Sequence, residues 1–188
     1  MILYIHGFGS SGVGSKALKF KEHYAHGTFI APSLSYVPLL AIDTLKQFIE
    51  YALAKGEKVH LIGSSLGGYM AIFLATHYNL KAVLINPSIK PTLTLQKARG
   101  LNYYDLSSFE WNTQHLKMLE NFNVTHPNPD NYLLLLQKGD ETLDYREALH
   151  FFEHQGINPN RIILEEGGNH SFENIESKFE IMDAFFDT

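Results

Sequence analysis

The sequence predicts an α/β protein, a three-layer α/β/α sandwich around a mostly parallel six-stranded sheet. Three observations carry this. Short apolar runs alternate along the chain with longer stretches of helical spacing. Successive strand–helix units need crossover connections, which place parallel strands between two helical layers. The leucine run of Tyr132–Gln137 suits a strand buried on both faces.

In order, Ile2–Ile5 reads as the first strand, and a Gly/Ser loop leads to a helix at Ser15–His23. Residues 28–31 form a second strand, ended by Pro32. Residues 39–54 have helical spacing, with Leu45, Phe48, Ile49 and Ala52 on one face, and Gly56 stops the helix. Strands follow at 59–62 and 82–85, separated by an Ala-, Leu- and Met-rich helix. Tyr132–Gln137 is the fifth strand, 143–155 a helix, 161–164 the sixth strand, and 171–186 a closing helix. The exception is the stretch 88–130, too long for a simple connection and rich in aromatic residues. Two readings stand: a lid-like insertion, or an excursion that covers core. The whole chain, 1–188, is expected to be one domain carrying this cap-like insertion.

Composition narrows the function classes. The net charge is −5 and no long basic run exists, which argues against nucleic acid. With no cysteine, disulfides, thiol catalysis and cysteine-ligated metal are excluded. The opening apolar run is too short for a signal peptide or a membrane span, so a cytoplasmic protein without a membrane partner is expected.

The residues that carry chemistry centre on Gly63-Ser64-Ser65-Leu66-Gly67. A strand that ends in Gly-x-Ser-x-Gly and runs straight into a helix lifts the serine on a sharp turn. Ser65 is therefore the expected nucleophile; Ser64 would be flanked by the bulky Ile62 and Leu66. A serine hydroxyl needs a base, and the base needs an orienting carboxylate. In such sheets both follow later in the chain, at the carboxyl ends of strands. His170 lies on the glycine-rich loop after the sixth strand and is the expected base. After the fifth strand, Asp140, Glu141 and Asp144 compete for the carboxylate. Asp140 stands nearest the strand end behind a glycine and is preferred; Asp144 is the runner-up, since an acid near a helix start also serves the helix dipole. Backbone N–H groups of Leu66 and Phe8 are the expected oxyanion donors, each worth about 3 kcal/mol in the transition state. His6 braces this loop or sits as a buried, satisfied histidine. Together with His6, the residues Tyr69, Tyr104 and Trp111 are the candidates for a substrate pocket.

Set in this order, His6-Gly7-Phe8-Gly9-Ser10-Ser11, Gly63-Ser64-Ser65-Leu66-Gly67-Gly68-Tyr69, Gly139-Asp140-Glu141 and Gly168-Asn169-His170-Ser171 resemble the α/β-hydrolase superfamily. More closely, the chain is similar to the small bacterial YqiA/YcfP-like esterases. The resemblance spans almost the whole chain. It implies a minimal α/β-hydrolase fold with strand order 2-1-3-4-5-6, lacking the usual two leading strands. It also implies a carboxylic-ester hydrolase acting on small or short-chain acyl esters or thioesters, with no cofactor and no metal. The alternative is a non-catalytic protein that binds a small ligand on the same scaffold.

Two further patterns carry no function. Gly7-Phe8-Gly9-Ser10-Ser11-Gly12 spells a dinucleotide loop, but the second strand ends in Ala31-Pro32-Ser33 and offers no acid for a ribose. His150-Phe151-Phe152-Glu153-His154 matches a zinc pattern, yet little chain remains for a third ligand, so it reads as the polar face of a helix.

Overall fold

The computed structural model describes residues 1–187. Six parallel strands form the central sheet: β1 (Ile2–Ile5), β2 (Phe29–Ile30), β3 (His60–Ser64), β4 (Lys81–Ile85), β7 (Tyr132–Gln137) and β8 (Ile162–Glu165). Their order across the sheet is β2-β1-β3-β4-β7-β8. Helices α1 (Ser15–His23), α2 (Pro38–Ala54), α3 (Leu66–Tyr78), α6 (Tyr145–His154) and α7 (Phe179–Asp187) cover it. The three-layer architecture and the strand order are those that the sequence leads one to expect.

Strand alternation divides the core in two. Leu3, Ile5, Leu61, Leu84, Leu134 and Leu136 point to one face, where α2, α3 and α6 cover them with Leu45, Ile49, Leu74 and Phe152. Tyr4, Ile62, Val83, Ile85, Leu133 and Leu135 point to the other, against Phe20 of α1 and Met182, Phe185 and Phe186 of α7. Both faces of the central strands are thus apolar, which is why β7 reads as an unbroken leucine run.

Two expectations change. The closing helix does not begin at 171; α7 starts at Phe179 after a 3₁₀ turn at Ile175–Lys178. Phe172 and Asn174 take φ of 63° and 55°, left-handed values that no right-handed helix can include. This backbone turn lets Glu173 exchange two hydrogen bonds with the buried Gln137 side chain, at 2.8 and 3.0 Å. The second strand shrinks from 28–31 to Phe29–Ile30, because it pairs only with Ile2 and Leu3 of β1.

Residues 88–130 contain a short helix α4 (Pro91–Thr94), an antiparallel pair β5 (Arg99–Leu101) and β6 (Ser108–Glu110), and helix α5 (Thr113–Glu120). Trp111 is 2% exposed, and its indole N–H donates to the Tyr36 carbonyl at 2.8 Å. Phe109, Leu119 and Phe122 are buried in the same core, whereas Tyr104 is 68% exposed at the hairpin tip.

The contrast is testable by urea denaturation. Trp111→Ala empties a fully packed site and should cost about 3–5 kcal/mol. Tyr104→Ala should change stability by less than about 0.5 kcal/mol.

Candidate active site

The turn at Ser65 joins β3 to α3. Its backbone sits at φ 55°, ψ −121°, a region that a side chain enters only when the surroundings force it. Those surroundings are close. A Cβ at Gly67 would lie 2.1 Å from the Ile5 carbonyl oxygen, and one at Gly63 would lie 2.5 Å from that of Gly67. The Ser65 N–H donates to Ile85 at 3.1 Å, and its carbonyl accepts from Ser88 at 3.0 Å. Strand β4 therefore holds the turn from one side while β1 presses on it from the other.

His170 lies beside it. Its Nε2 is 2.9 Å from the Ser65 Oγ, and its Nδ1 is 2.8 and 3.0 Å from the two carboxylate oxygens of Asp140. An ionised carboxylate only accepts, so Nδ1 carries the proton and Nε2 is left to accept from the serine hydroxyl. The Asp140 carboxylate is 1% exposed. Burial alone would raise its pKa, but hydrogen bonds from His170 and from the N–H groups of Leu143 and Thr142 hold it below the usual carboxylate value. Asp144 stands elsewhere, as the N-cap of α6, accepting from the Arg146 N–H and pairing with its guanidinium.

The loop that presents His170 is held by Gln137 and Asn86, two residues outside the candidate set, and by Glu141. Gln137, at the end of β7, is buried, and its Oε1 accepts from the N–H of Asn169 and Glu173. Its Nε2 donates to the Glu165 carboxylate. A Cβ at Gly168 would strike that Gln137 side chain at 2.1 Å. Asn86, at the end of β4, accepts from the Gln137 N–H and donates to the carbonyls of Asn169 and His170. The Glu141 carboxylate accepts from the His170 N–H at 3.0 Å. The signal available in advance was position: Asn86 and Gln137 are polar residues at the ends of apolar runs.

The loop after β1 completes the surroundings. A Cβ at Gly7 would be 3.1 Å from the Ser65 Cβ, so the Gly7-Phe8 backbone runs directly past Ser65. The ring of Phe8 turns away and packs on Phe109 and Trp111, with centroids at 5.2 and 5.0 Å. His6 is buried; its Nδ1 donates to the Gly7 carbonyl and its Nε2 accepts from the Leu34 N–H. Burial keeps its pKa below the usual histidine value.

A cavity of about 550 Å³ opens over Ser65 and His170, between α1 and the His170 loop. Gly7, Phe8, Ser10, Lys16 and Asn169 also line it. Among the described residues that line it, none comes from the insertion. Tyr69 is 5% exposed, with its hydroxyl on the Leu119 carbonyl. Trp111 is interior, and Tyr104 donates to or accepts from Ser33 on the outer surface. His6 and Tyr104 instead border a separate small recess of about 90 Å³ behind the β1 loop. The physical reason is direction: the insertion packs its aromatic rings onto Phe8 from behind, away from the cavity.

The sequence from 1 to 187 matches the model of the Uncharacterised protein family (UPF0227). The chain belongs to that family. This UPF0227 chain is 26% identical to the UPF0227 protein of Serratia proteamaculans (strain 568) and 27% identical to the UPF0227 protein YcfP of Salmonella typhimurium. In both cases 98% of each chain is covered. Among solved structures, the UPF0227 chain is similar to mouse alpha/beta hydrolase domain-containing protein 10, with a TM-score of 0.71 at 17% identity over 99% of this chain and 89% of that one. It is also similar to Est1E of Butyrivibrio proteoclasticus, with a TM-score of 0.71 at 14% identity over 100% of this chain and 88% of the other. A monoacylglycerol lipase of Paleococcus ferrophilus gives 0.68 at 16% identity, over 99% and 93%. These likenesses establish the α/β-hydrolase fold. Among the described residues, no helix is long and apolar enough to cross a membrane.

Two outcomes follow. Gly67→Ala should lower stability by at least about 1–3 kcal/mol, because a backbone oxygen cannot move aside as a side chain can; a thermal melt reads it. The ionised Asp140 stabilises the fold above the ordinary carboxylate pKa of about 4, and this is lost as pH falls through its lowered folded value. The stability gap between the wild type and Asp140→Asn should therefore be widest above about pH 5 and close toward pH 3 in urea titrations.

Proposed function

We propose that this protein is a serine esterase that cleaves small or short-chain acyl esters, including thioesters, through an acyl-enzyme. The observation that supports it is the unbroken hydrogen-bonded line from Ser65 Oγ through His170 to the buried Asp140 carboxylate. The Ser65 oxygen attacks the ester carbonyl as its proton passes to His170 Nε2. Asp140 keeps the ring oriented and stabilises the imidazolium. The backbone N–H groups of Leu66 and Phe8 receive the oxyanion, and the start of α3 adds its positive end. Collapse of the tetrahedral intermediate expels the alcohol or thiol, which takes the proton from Nε2. Water, deprotonated by the same nitrogen, then attacks the acyl-serine, and the carboxylic acid leaves with Ser65 restored. Trp111 contributes at a distance, by packing on Phe8, rather than by touching substrate; Tyr69 is spent on the Leu119 carbonyl and Tyr104 on Ser33 at the outer surface.

Ser65→Ala should lower kcat/KM for p-nitrophenyl butyrate by at least about 10³-fold while circular dichroism and the melting curve stay native. A fluorophosphonate probe should label the wild type at Ser65 and leave the variant unmarked. A folded wild type that takes no label and turns over no ester would instead favour a ligand-binding protein on this scaffold.

A further inference from the structure

Lys16 lines the cavity, and the reaction above leaves it without a task. It lies in the first turn of α1, half-buried, and its Nζ donates to the Ser64 Oγ at 2.7 Å. An ammonium has three N–H donors, and that bond uses one. Among the described residues, no carboxylate lies within ion-pair distance of it; Lys19, on the same cavity wall, is tied to Glu176 at 2.5 Å. Glu173, the carboxylate on the opposite wall, accepts from Asn169. Folding gains little from such a placement. A cation in the first turn faces the positive end of the helix, and a buried charge normally has a partner of opposite sign. Burial draws the Lys16 pKa down to about 8, opposed by the charge of Asp140 and reinforced by that of Lys19. It therefore still carries its proton at neutral pH and is a cation with unspent donors, facing the space where substrate sits.

We propose that Lys16 is a specificity-determining residue that binds an anionic group, carboxylate or phosphate, on the ester whose carbonyl is attacked by Ser65. This rests on the serine esterase reading. The anion completes the donors of Lys16 in a cavity that Ser10 and Ser15 also line. The occupant is thus a small ester bearing one negative charge close to its scissile bond, rather than a neutral lipid. A different use of the same contact, with Lys16 as a base for Ser64, would make Ser64 a nucleophile. Ser64 is 4% exposed on β3 and lacks the raised turn of Ser65, so the anion site is the better account.

The test uses two matched pairs of substrates. In one pair the charge is in the acyl half: mono-p-nitrophenyl succinate against p-nitrophenyl butyrate. In the other it is in the leaving group: the butyryl ester of 4-hydroxybenzoate against that of its methyl ester. A third comparison replaces the carboxylate of the second pair by a phosphate monoester. The wild type should prefer the anionic member of at least one comparison. Lys16→Met should lower that anionic-to-neutral ratio of kcat/KM by about tenfold or more, chiefly through KM, and Lys16→Arg should restore most of it. A wild type indifferent to charge in every comparison overturns the proposal without any variant, so a Lys16→Met protein that fails to fold does not shield it. Equal losses on charged and neutral members also overturn it, as does fluorophosphonate labelling that moves to Ser64. An enzyme that is active and labelled at Ser65 but blind to charge brings down the anion site alone. Absence of both turnover and label brings down the esterase reading with it.

Discussion

The site depends on one backbone constraint, the left-handed turn at Ser65. A φ of 55° is costly for a residue with a side chain, so neighbouring structure must impose it. Strand β4 takes the Ser65 N–H on the Ile85 carbonyl, and the Ser88 N–H returns to the Ser65 carbonyl. The carbonyls of β1 occupy the space where a Cβ of residue 67 would stand. The parallel register of β1, β3 and β4 is thus not only a scaffold. It fixes the direction in which one hydroxyl leaves the sheet.

The partner groups obey a second constraint. Asp140 and His170 come from loops after β7 and β8, and loops are ordinarily the least fixed part of a domain. Here two buried amides at strand ends join them. Gln137 and Asn86 bond to each other's backbone or side chain and to the segment from Asn169 to Glu173. Buried polar groups of this kind are worth having only when their bonds are made. The left-handed residues at 167, 168, 172 and 174 are what allow the chain to wrap around Gln137 closely enough to make them.

Much of this was legible in the chain. Parallel strands and crossover helices follow from alternating apolar runs, and the glycines on either side of Ser65 declare a tight turn because their need is local. The loop positions of Asp140 and His170 follow from strand ends. What could not be read depends on direction rather than presence. The aromatic richness of 88–130 is plain in the sequence, but whether Trp111 faces a cavity or Phe8 is decided by how the hairpin docks. The late start of the closing helix is not legible because Phe172 and Asn174 are ordinary residues, and their left-handed backbone flanks Glu173, whose partner Gln137 is distant in the chain. The place of Lys16 is not legible either, because a lysine in an amphipathic helix is usually a solvated charge.

The docking of the insertion has a consequence for the shape of the cavity mouth. Phe109 and Trp111 grip the rear of Phe8, so the segment stiffens the loop yet contributes no roof. The entrance is framed instead by the head of α1 and the bend that carries His170. Remodelling of the hairpin tip can then proceed without altering the width of the doorway, whereas the first turn of α1 forms part of its frame.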